Sequence, residues 1–462
     1  MLFSTNIFLF AFLPVCLAIY YGLLRKRWAR NRLLLLASIF FYAWGSVPHV
    51  FLMLGSIIIN WAFALIIDNG GNERKRRTIL TMAILTNVTV LFVFKYLSFT
   101  IVNLNAFFYC DWSVPQIALP IGISFFTFQA MSYVIDVYRG HDKALTSIYD
   151  VGLYISLFPQ LVAGPIVRFE DFREQIQHRK ESFDSICDGI YRFGYGLGKK
   201  VLIADNLAIV AEMAFQQHEP AILMAWLGAI TFTLQIYFDF SGYSDMAIGL
   251  GKMFGFQFKE NFNYPYISTS VSEFWRRWHI SMGSWFRDYI YFPLGGSKVA
   301  KGRMFFNLFV VWAVTGLWHG ANWTFIAWGM LQFIAIGIEK LVGLKTMNGV
   351  VRKSVGLVYT MLFVIIGWVF FNSATIAEGA HFVYAMFTNY DIGDILALTL
   401  IRENAVVLVL GIILSTPVYT FFRNKLSTRY QWIEGAMVSS IYVLSFIYVV
   451  KGSYSPFIYF NF

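Results

Sequence analysis

The chain has 462 residues, 58% hydrophobic and only 13% charged, with a mean hydropathy of +0.60. A soluble domain carries about 25% charged residues, so this composition excludes a water-soluble globular protein and places the chain in lipid. The net charge of +10 sits in short basic clusters between apolar runs, which orient a membrane protein and are not a nucleic-acid footprint.

The first 24 residues are apolar, with no basic segment before them and no small-residue cleavage site after them. The cluster Arg25-Lys26-Arg27, with Arg30 and Arg32, comes next, so the segment reads as a retained span over about 6–24 and not as a removed signal peptide. Its basic flank places 25–32 in the cytoplasm and the N-terminus outside. Runs at about 33–47 and 49–68 form a hairpin that returns to Arg74-Lys75-Arg76-Arg77. A span at about 78–97 goes out, and one at about 118–137 comes back to Arg139 and Lys143.

The run 148–166 has cationic ground on both sides and contains Pro159, Gly164 and Pro165. This pattern predicts a re-entrant hairpin, since irregular backbone at membrane depth needs protein or a wet cavity around it. Residues 169–186 read as an interfacial helix, succeeded by spans at about 188–211 and 221–239. The segment 257–303 shows no clean span and is rich in Trp, Tyr, Phe and Arg, the mix of a membrane interface. Further spans at about 305–321, 323–342, 355–371, 404–421 and 433–450 complete the chain. Arg423, Lys425 and Arg429 mark a cytoplasmic turn before the last span, which puts the C-terminus outside; Arg402 falls on the wrong side of this scheme. The expected architecture is all-α and polytopic, a single integral membrane domain over 1–462 with its core at about 118–345. No internal repeat of the kind seen in inverted-repeat transporters is visible.

The stretch from Ser272 to Trp323 carries the chemistry. His319 lies in the run 305–321; on one continuous helix it stands roughly 24 Å beyond Arg303, inside a bilayer core of about 30 Å. A charged side chain at that depth costs roughly 2.5–3.5 kcal/mol on insertion scales. A histidine avoids the cost by staying neutral, and neutral imidazole is a usable base near physiological pH. Gly316, Gly320 and Ala321 leave room for another chain or a substrate to approach the ring, while Trp318 and Trp323 offer flat walls.

His279 comes directly after Trp275-Arg276-Arg277-Trp278. The tryptophans suit an interfacial belt, and the arginines suit either cytoplasmic charge or the phosphates of a nucleotide-bearing acyl donor. Asp239 and Asp245 lie near the membrane and need partners there, either a histidine, an arginine or a helix end. Asn261, Asn263 and Asn322 can hydrogen-bond a carbonyl or serve as turn and cap residues. The other histidines fall at span ends or in loops. Cys16, Cys110 and Cys187 are widely spaced and read as buried thiols, with no metal site. No phosphate-binding Gly-rich loop, Gly-x-Ser-x-Gly elbow or His-Glu-x-x-His motif is present, which argues against ATP-driven transport.

Five segments carry a resemblance to a known family: 119–129 (LPIGISFFTFQ), 158–166 (FPQLVAGPI), 239–245 (DFSGYSD), 273–281 (EFWRRWHIS) and 316–320 (GLWHG). Together they resemble the membrane-bound O-acyltransferase (MBOAT) family, specifically its bacterial alginate O-acetyltransferase branch. The resemblance implies a helical bundle of about eleven spans with re-entrant segments and a central, partly wet cavity. It implies that His319 is the essential catalytic residue and His279 the second histidine of the site. It also implies a cytoplasmic acyl thioester, acetyl-CoA, as donor substrate, with no permanently bound cofactor. The expected partner is an extracytoplasmic SGNH-hydrolase-like acetyltransferase that modifies a polysaccharide, and the expected location is the bacterial inner membrane. Arg276, Arg277, Trp275 and Trp278 are the candidates for holding the donor, and Asp239, Asp245, Asn322 and Trp318 are further candidates for the cavity wall. Peptidoglycan O-acetylation and D-alanyl transfer to teichoic acid remain alternatives on the same fold. A polysaccharide-precursor transporter or a non-catalytic scaffold would explain the hydrophobicity but not the two histidine motifs.

Overall fold

A computed structural model describes residues 1–343, 349–390, 394–425, 431–452 and 457–458. The described residues form helices and turns with no strand, as expected for an all-α chain. Arg429 lies outside the described residues, as do the side chains of Arg423 and Lys425. The chain divides into two compact units, Met1–Phe193 with Met246–Lys259, and Gly194–Asp245 with Glu260–Phe462.

The first unit begins with helices α1 (Phe8–Leu23), α2 (Arg27–Ala43), α3 (Val47–Asp68) and α4 (Glu73–Phe108). Then come α5 (Ile123–Arg139), α6 (Ile148–Ser156), α7 (Phe158–Leu161) and α8 (Phe169–His178). Helix α5 packs on α3 and α4, and α6 packs on α2 and α3. The run expected to form a re-entrant hairpin is two short helices, α6 and α7, and every residue from 151 to 167 is buried. That burial is what a broken, apolar segment requires, because its irregular backbone is then covered by protein. Phe169, Phe172 and Ile176 are the buried residues of α8, spaced so that they share one face of an otherwise polar helix. After α8, the Arg179 guanidinium is buried against the Tyr20 hydroxyl at 3.0 Å and the Phe254 carbonyl at 3.0 Å, and Glu181 pairs with Arg27.

Helix α9 (Phe183–Gly198) runs through a π-helical turn at Lys199–Ala204 into α10 (Asp205–Phe215). Helix α11 (Ile222–Met253) is 32 residues long, so the Asp239-Phe240-Ser241-Gly242-Tyr243-Ser244-Asp245 segment lies within a helix and does not end one. The short helices α12 (Val271–Arg277) and α13 (Ile280–Phe286) occupy the stretch expected to lack a span. After them come α14 (Lys301–His319), α15 (Trp323–Val342), α16 (Val350–Asn372) and α17 (Ile376–Thr388). Helices α14, α15 and α16 pack in succession, and α12 lies against α15 and α16. The remainder is α18 (Ile395–Glu403), α19 (Ala405–Leu414), α20 (Val418–Lys425) and α21 (Gln431–Lys451).

Six described helices are long and apolar enough to cross a membrane, or seven if the bent pair α18–α19 is one span. The expected count of about eleven included shorter or more polar helices, such as α2 and α5 at 17 residues each, which fall below that measure of length. Helices α18 and α19 meet at a 66° bend. Arg402, the residue that did not fit the charge pattern, sits in the last turn before that bend.

Helices α9 and α11 meet within the second unit at a point that only glycine permits. A Cβ on Gly242 would lie 2.8 Å from the Gly196 carbonyl oxygen and 3.2 Å from the Lys200 nitrogen. The close approach brings two lysines to two carboxylates of the segment. Lys199 Nζ lies 2.7 Å from Asp245 Oδ2, and Lys200 Nζ lies 2.7 Å from both Asp239 Oδ1 and Asp205 Oδ1. Lys200, Asp205 and Asp239 are all buried. Asp239 Oδ2 also accepts the backbone N–H of Ile458 at 2.7 Å.

Candidate active site

The first histidine is placed by a short helix whose start is heavily capped. Ser270 Oγ accepts the Glu273 N–H at 3.0 Å, and Glu273 turns back to accept the Thr269 N–H at 2.9 Å, a variant of the capping box. Glu339 of α15 adds its carboxylate, accepting the N–H groups of Val271 at 2.6 Å and Ser272 at 2.9 Å. A negative group at a helix N-terminus satisfies donors that have no partner within the helix. Trp275 Nε1 donates to Gln332 Oε1 of α15 at 3.0 Å, a second tie to the same helix.

Helix α12 stops at Arg277, Trp278 is extended, and His279 has a left-handed backbone with φ +45°. Such a conformation is uncommon for a residue with a Cβ, and it turns the chain sharply into α13. His279 is completely buried. Its Nδ1 lies 3.1 Å from Asn261 Oδ1, and the Phe240 ring meets the imidazole edge-on with centroids 4.6 Å apart. His279 lies outside the six apolar spans, and burial pushes its imidazole down to about 3, so the neutral form is the stable one.

The second histidine ends a long helix. α14 is a continuous α-helix over its 19 residues, and His319 is the last of them. Its ring is 4% exposed and surrounded edge-on by aromatics, with centroids 4.8 Å from Trp318, 5.0 Å from Trp328 and 5.3 Å from Phe371. The Trp318 ring stands beside both imidazoles, 6.1 Å from His279 and 4.8 Å from His319. The two motifs thus meet around a single indole.

Of the two uses read for the glycines beside His319, the structure shows the close approach of another stretch of chain. A Cβ on Gly316 would lie 2.6 Å from the Phe325 carbonyl oxygen, and one on Gly320 would lie 2.2 Å from the Phe325 ring. They admit α15 and do not leave open space for a substrate. Trp323, read as a wall, is 53% exposed, and Trp328 and Phe371 stand against the ring. Asn322 caps α15, its Oδ1 accepting the Thr324 N–H at 3.1 Å while its Nδ2 donates to the Ala374 carbonyl at 2.9 Å.

Of the four residues read as donor ligands, Trp278 is buried among Phe262, Phe274 and Trp368. Trp275 packs on Trp312 and Trp328. Arg277 pairs with Glu273 at 2.9 Å and donates to the Asn263 carbonyl at 3.1 Å. Arg276 is exposed, and no ion pair joins it among the described residues. Asp239 and Asp245 are engaged by Lys200 and Lys199.

Sequence reasoning did not single out Lys199, Lys200 or Glu339. The signal was available: two lysines inside the apolar run 194–204 and one acid inside the span 323–342 each imply a buried partner. It also did not separate Asn261 from the other asparagines, because only the fold brings 261 to 279.

Residues 137–377 match the family described as the membrane-bound O-acyltransferase family. The chain is 44% identical over 393 residues to a protein of Pseudomonas aeruginosa named probable alginate O-acetylase AlgI, covering 84% of this chain and 75% of that one. It is 39% identical to the Pseudomonas putida protein of the same name, over the full length of both chains. It is 32% identical to the peptidoglycan O-acetyltransferase of Helicobacter pylori, over 100% of this chain and 98% of that protein.

Proposed function

We propose, for a chain that belongs to the membrane-bound O-acyltransferase family and is a multi-pass membrane acyltransferase, that it moves an acetyl group from cytoplasmic acetyl-CoA across the bacterial inner membrane. The destination is the hydroxyl of an extracytoplasmic polysaccharide, alginate or a related polymer, reached through a separate SGNH-like acetyltransferase partner. Both termini face outward in this reading. The observation that carries it is the meeting of His279 and His319, both buried, around Trp318.

The chemistry depends on where each ring sits. His319 takes the proton of an attacking hydroxyl as its oxygen bonds to the thioester carbonyl carbon. The C–S bond then breaks, and the proton passes from His319 to the departing thiolate. A positive imidazolium is favoured at a helix C-terminus by about 0.3–1 kcal/mol, and more when partly buried. His319 holds that position on α14. The aromatic wall keeps bulk water from hydrolysing the acyl group.

Arg276 supports donor docking, since its exposed guanidinium suits a phosphate. Arg276→Ala is expected to raise KM for acetyl-CoA about three- to tenfold, the low end for a charge-assisted contact at an exposed position. kcat should stay unchanged, and the difference from wild type should shrink as salt is raised. The reading as a whole is tested with purified protein in lipid nanodiscs, labelled acetyl-CoA and a hydroxyl acceptor. Transfer of label supports it, and transfer from a D-alanyl carrier protein alone would favour the teichoic-acid reaction. The Helicobacter relative makes peptidoglycan the second acceptor to try.

A further inference from the structure

Asn261 is fully buried, and its Oδ1 receives three groups from one short segment. The Ser281 backbone N–H donates to it at 3.1 Å, the Ser281 hydroxyl lies at 2.9 Å, and His279 Nδ1 lies at 3.1 Å. A main-chain bond from the Ile280 N–H to the Asn261 carbonyl, 2.9 Å, fixes the two stretches of chain side by side.

The orientation of this amide decides the state of the histidine. A backbone N–H can only donate, so the atom facing Ser281 N must be the amide oxygen. Flipping the amide would point its NH2 at that N–H and lose the Ser281 contact. The same oxygen faces His279 Nδ1. Two acceptors cannot bond each other, so Nδ1 must carry the proton. In the neutral ring this makes Nε2 the acceptor nitrogen.

We infer that Asn261 is a positioning residue that locks His279 in its Nδ1–H tautomer, so that His279 Nε2 accepts a hydrogen bond from a substrate N–H or O–H group. This rests on the acyl-transfer reading. It assigns the two histidines different tasks: His319 exchanges a proton with the reacting atoms, while His279 holds a donor group of the substrate in place. The neutral ring at 279 then supplies no N–H to a developing oxyanion. The shared chemistry fits either the amide N–H groups of a thioester's pantetheine arm or a hydroxyl of the acceptor other than the attacking one, whose single proton goes to His319.

The test uses the full-length protein in nanodiscs with 15N-labelled histidine, the His279 signals being assigned by their loss in His279→Gln. Wild type should show a protonated Nδ1 and an unprotonated Nε2, with no titration across the range where an ordinary histidine does so, about pH 6.5. Asn261→Asp keeps an acceptor for Ser281 and His279 and adds a negative charge. It should retain the tautomer while raising the His279 titration by about 1–3 units. Asn261→Leu should mix the tautomers and lower kcat per folded molecule about ten- to hundredfold, by analogy with the loss when the orienting partner of a metal-bound histidine is removed.

A rise in KM for acetyl-CoA in His279→Gln would identify the pantetheine amides as the donor group, and a rise in KM for the hydroxyl acceptor a non-attacking hydroxyl. A protonated Nε2 in wild type would overturn the inference, as would wild-type kcat in folded Asn261→Leu. A wild-type protein that transfers no acyl group would instead defeat the acyl-transfer reading and leave the tautomer measurement intact.

Discussion

His319→Ala is expected to reduce acyl transfer by about 10²–10⁴-fold, the usual contribution of a positioned general base. The protein should still insert, because α14 ends at this residue and Trp328 of α15 still packs on Phe371 of α16, their ring centroids 5.3 Å apart. The loss should fall on kcat more than on KM, since the proton is exchanged in the transition state and not on binding. His319→Gln keeps most of the ring's volume and should be as inactive as the alanine variant, which separates lost chemistry from lost packing. The measurement is label transfer per folded molecule, with folding monitored by size-exclusion in detergent. A folded His319→Ala protein acetylating at the wild-type rate would remove this histidine from the mechanism.

Lys200→Met is expected to destabilise the second unit strongly. Lys200 lies 2.7 Å from both Asp205 and Asp239, and all three side chains are at most one-tenth exposed. Removing the cation leaves two carboxylates facing each other without solvent. Breaking a buried pair from one side typically costs about 3–5 kcal/mol, a large part of the roughly 5–15 kcal/mol that holds a typical domain together. The triple variant Lys200→Met, Asp205→Asn, Asp239→Asn should recover much of the loss, because it removes the charges together and keeps an acceptor for the Ile458 N–H. Thermal unfolding in detergent reads both variants. An unchanged unfolding temperature in Lys200→Met would mean that the triad contributes little to the fold.

Neighbouring charges account for what could and could not be read from Asp239 and Asp245. Each was legible as an intramembrane acid in need of a partner, yet a histidine, an arginine or a helix end would have served equally well. Their partners, Lys200 and Lys199, stand roughly forty residues away in the chain, and their selection depends on the close approach that Gly242 allows at Gly196. The π-helical turn at Lys199–Ala204 belongs to the same region, where one extra residue per turn rotates the faces that α10 presents.

The glycines around His319 show the same limit from the other side. Their small size was evident, but which body fills the space beside them is a matter of packing, and the body is Phe325 of α15.

Composition and the spacing of apolar runs determined by themselves that this is an all-helical membrane protein with a broken segment near 148–166, and the sequence alone marked two histidine motifs between 272 and 323. These are properties of local chain and solvent, since apolar length and isolated polar groups carry the same cost in lipid wherever they are placed. Only the tertiary structure decided that Asn261 faces His279, that Trp318 stands beside both imidazoles, and that Lys199 and Lys200 neutralise Asp245 and Asp239. A hydrogen bond or ion pair acts over about 3 Å, and no pattern along the chain specifies which distant residues the packing of helices will bring within that distance.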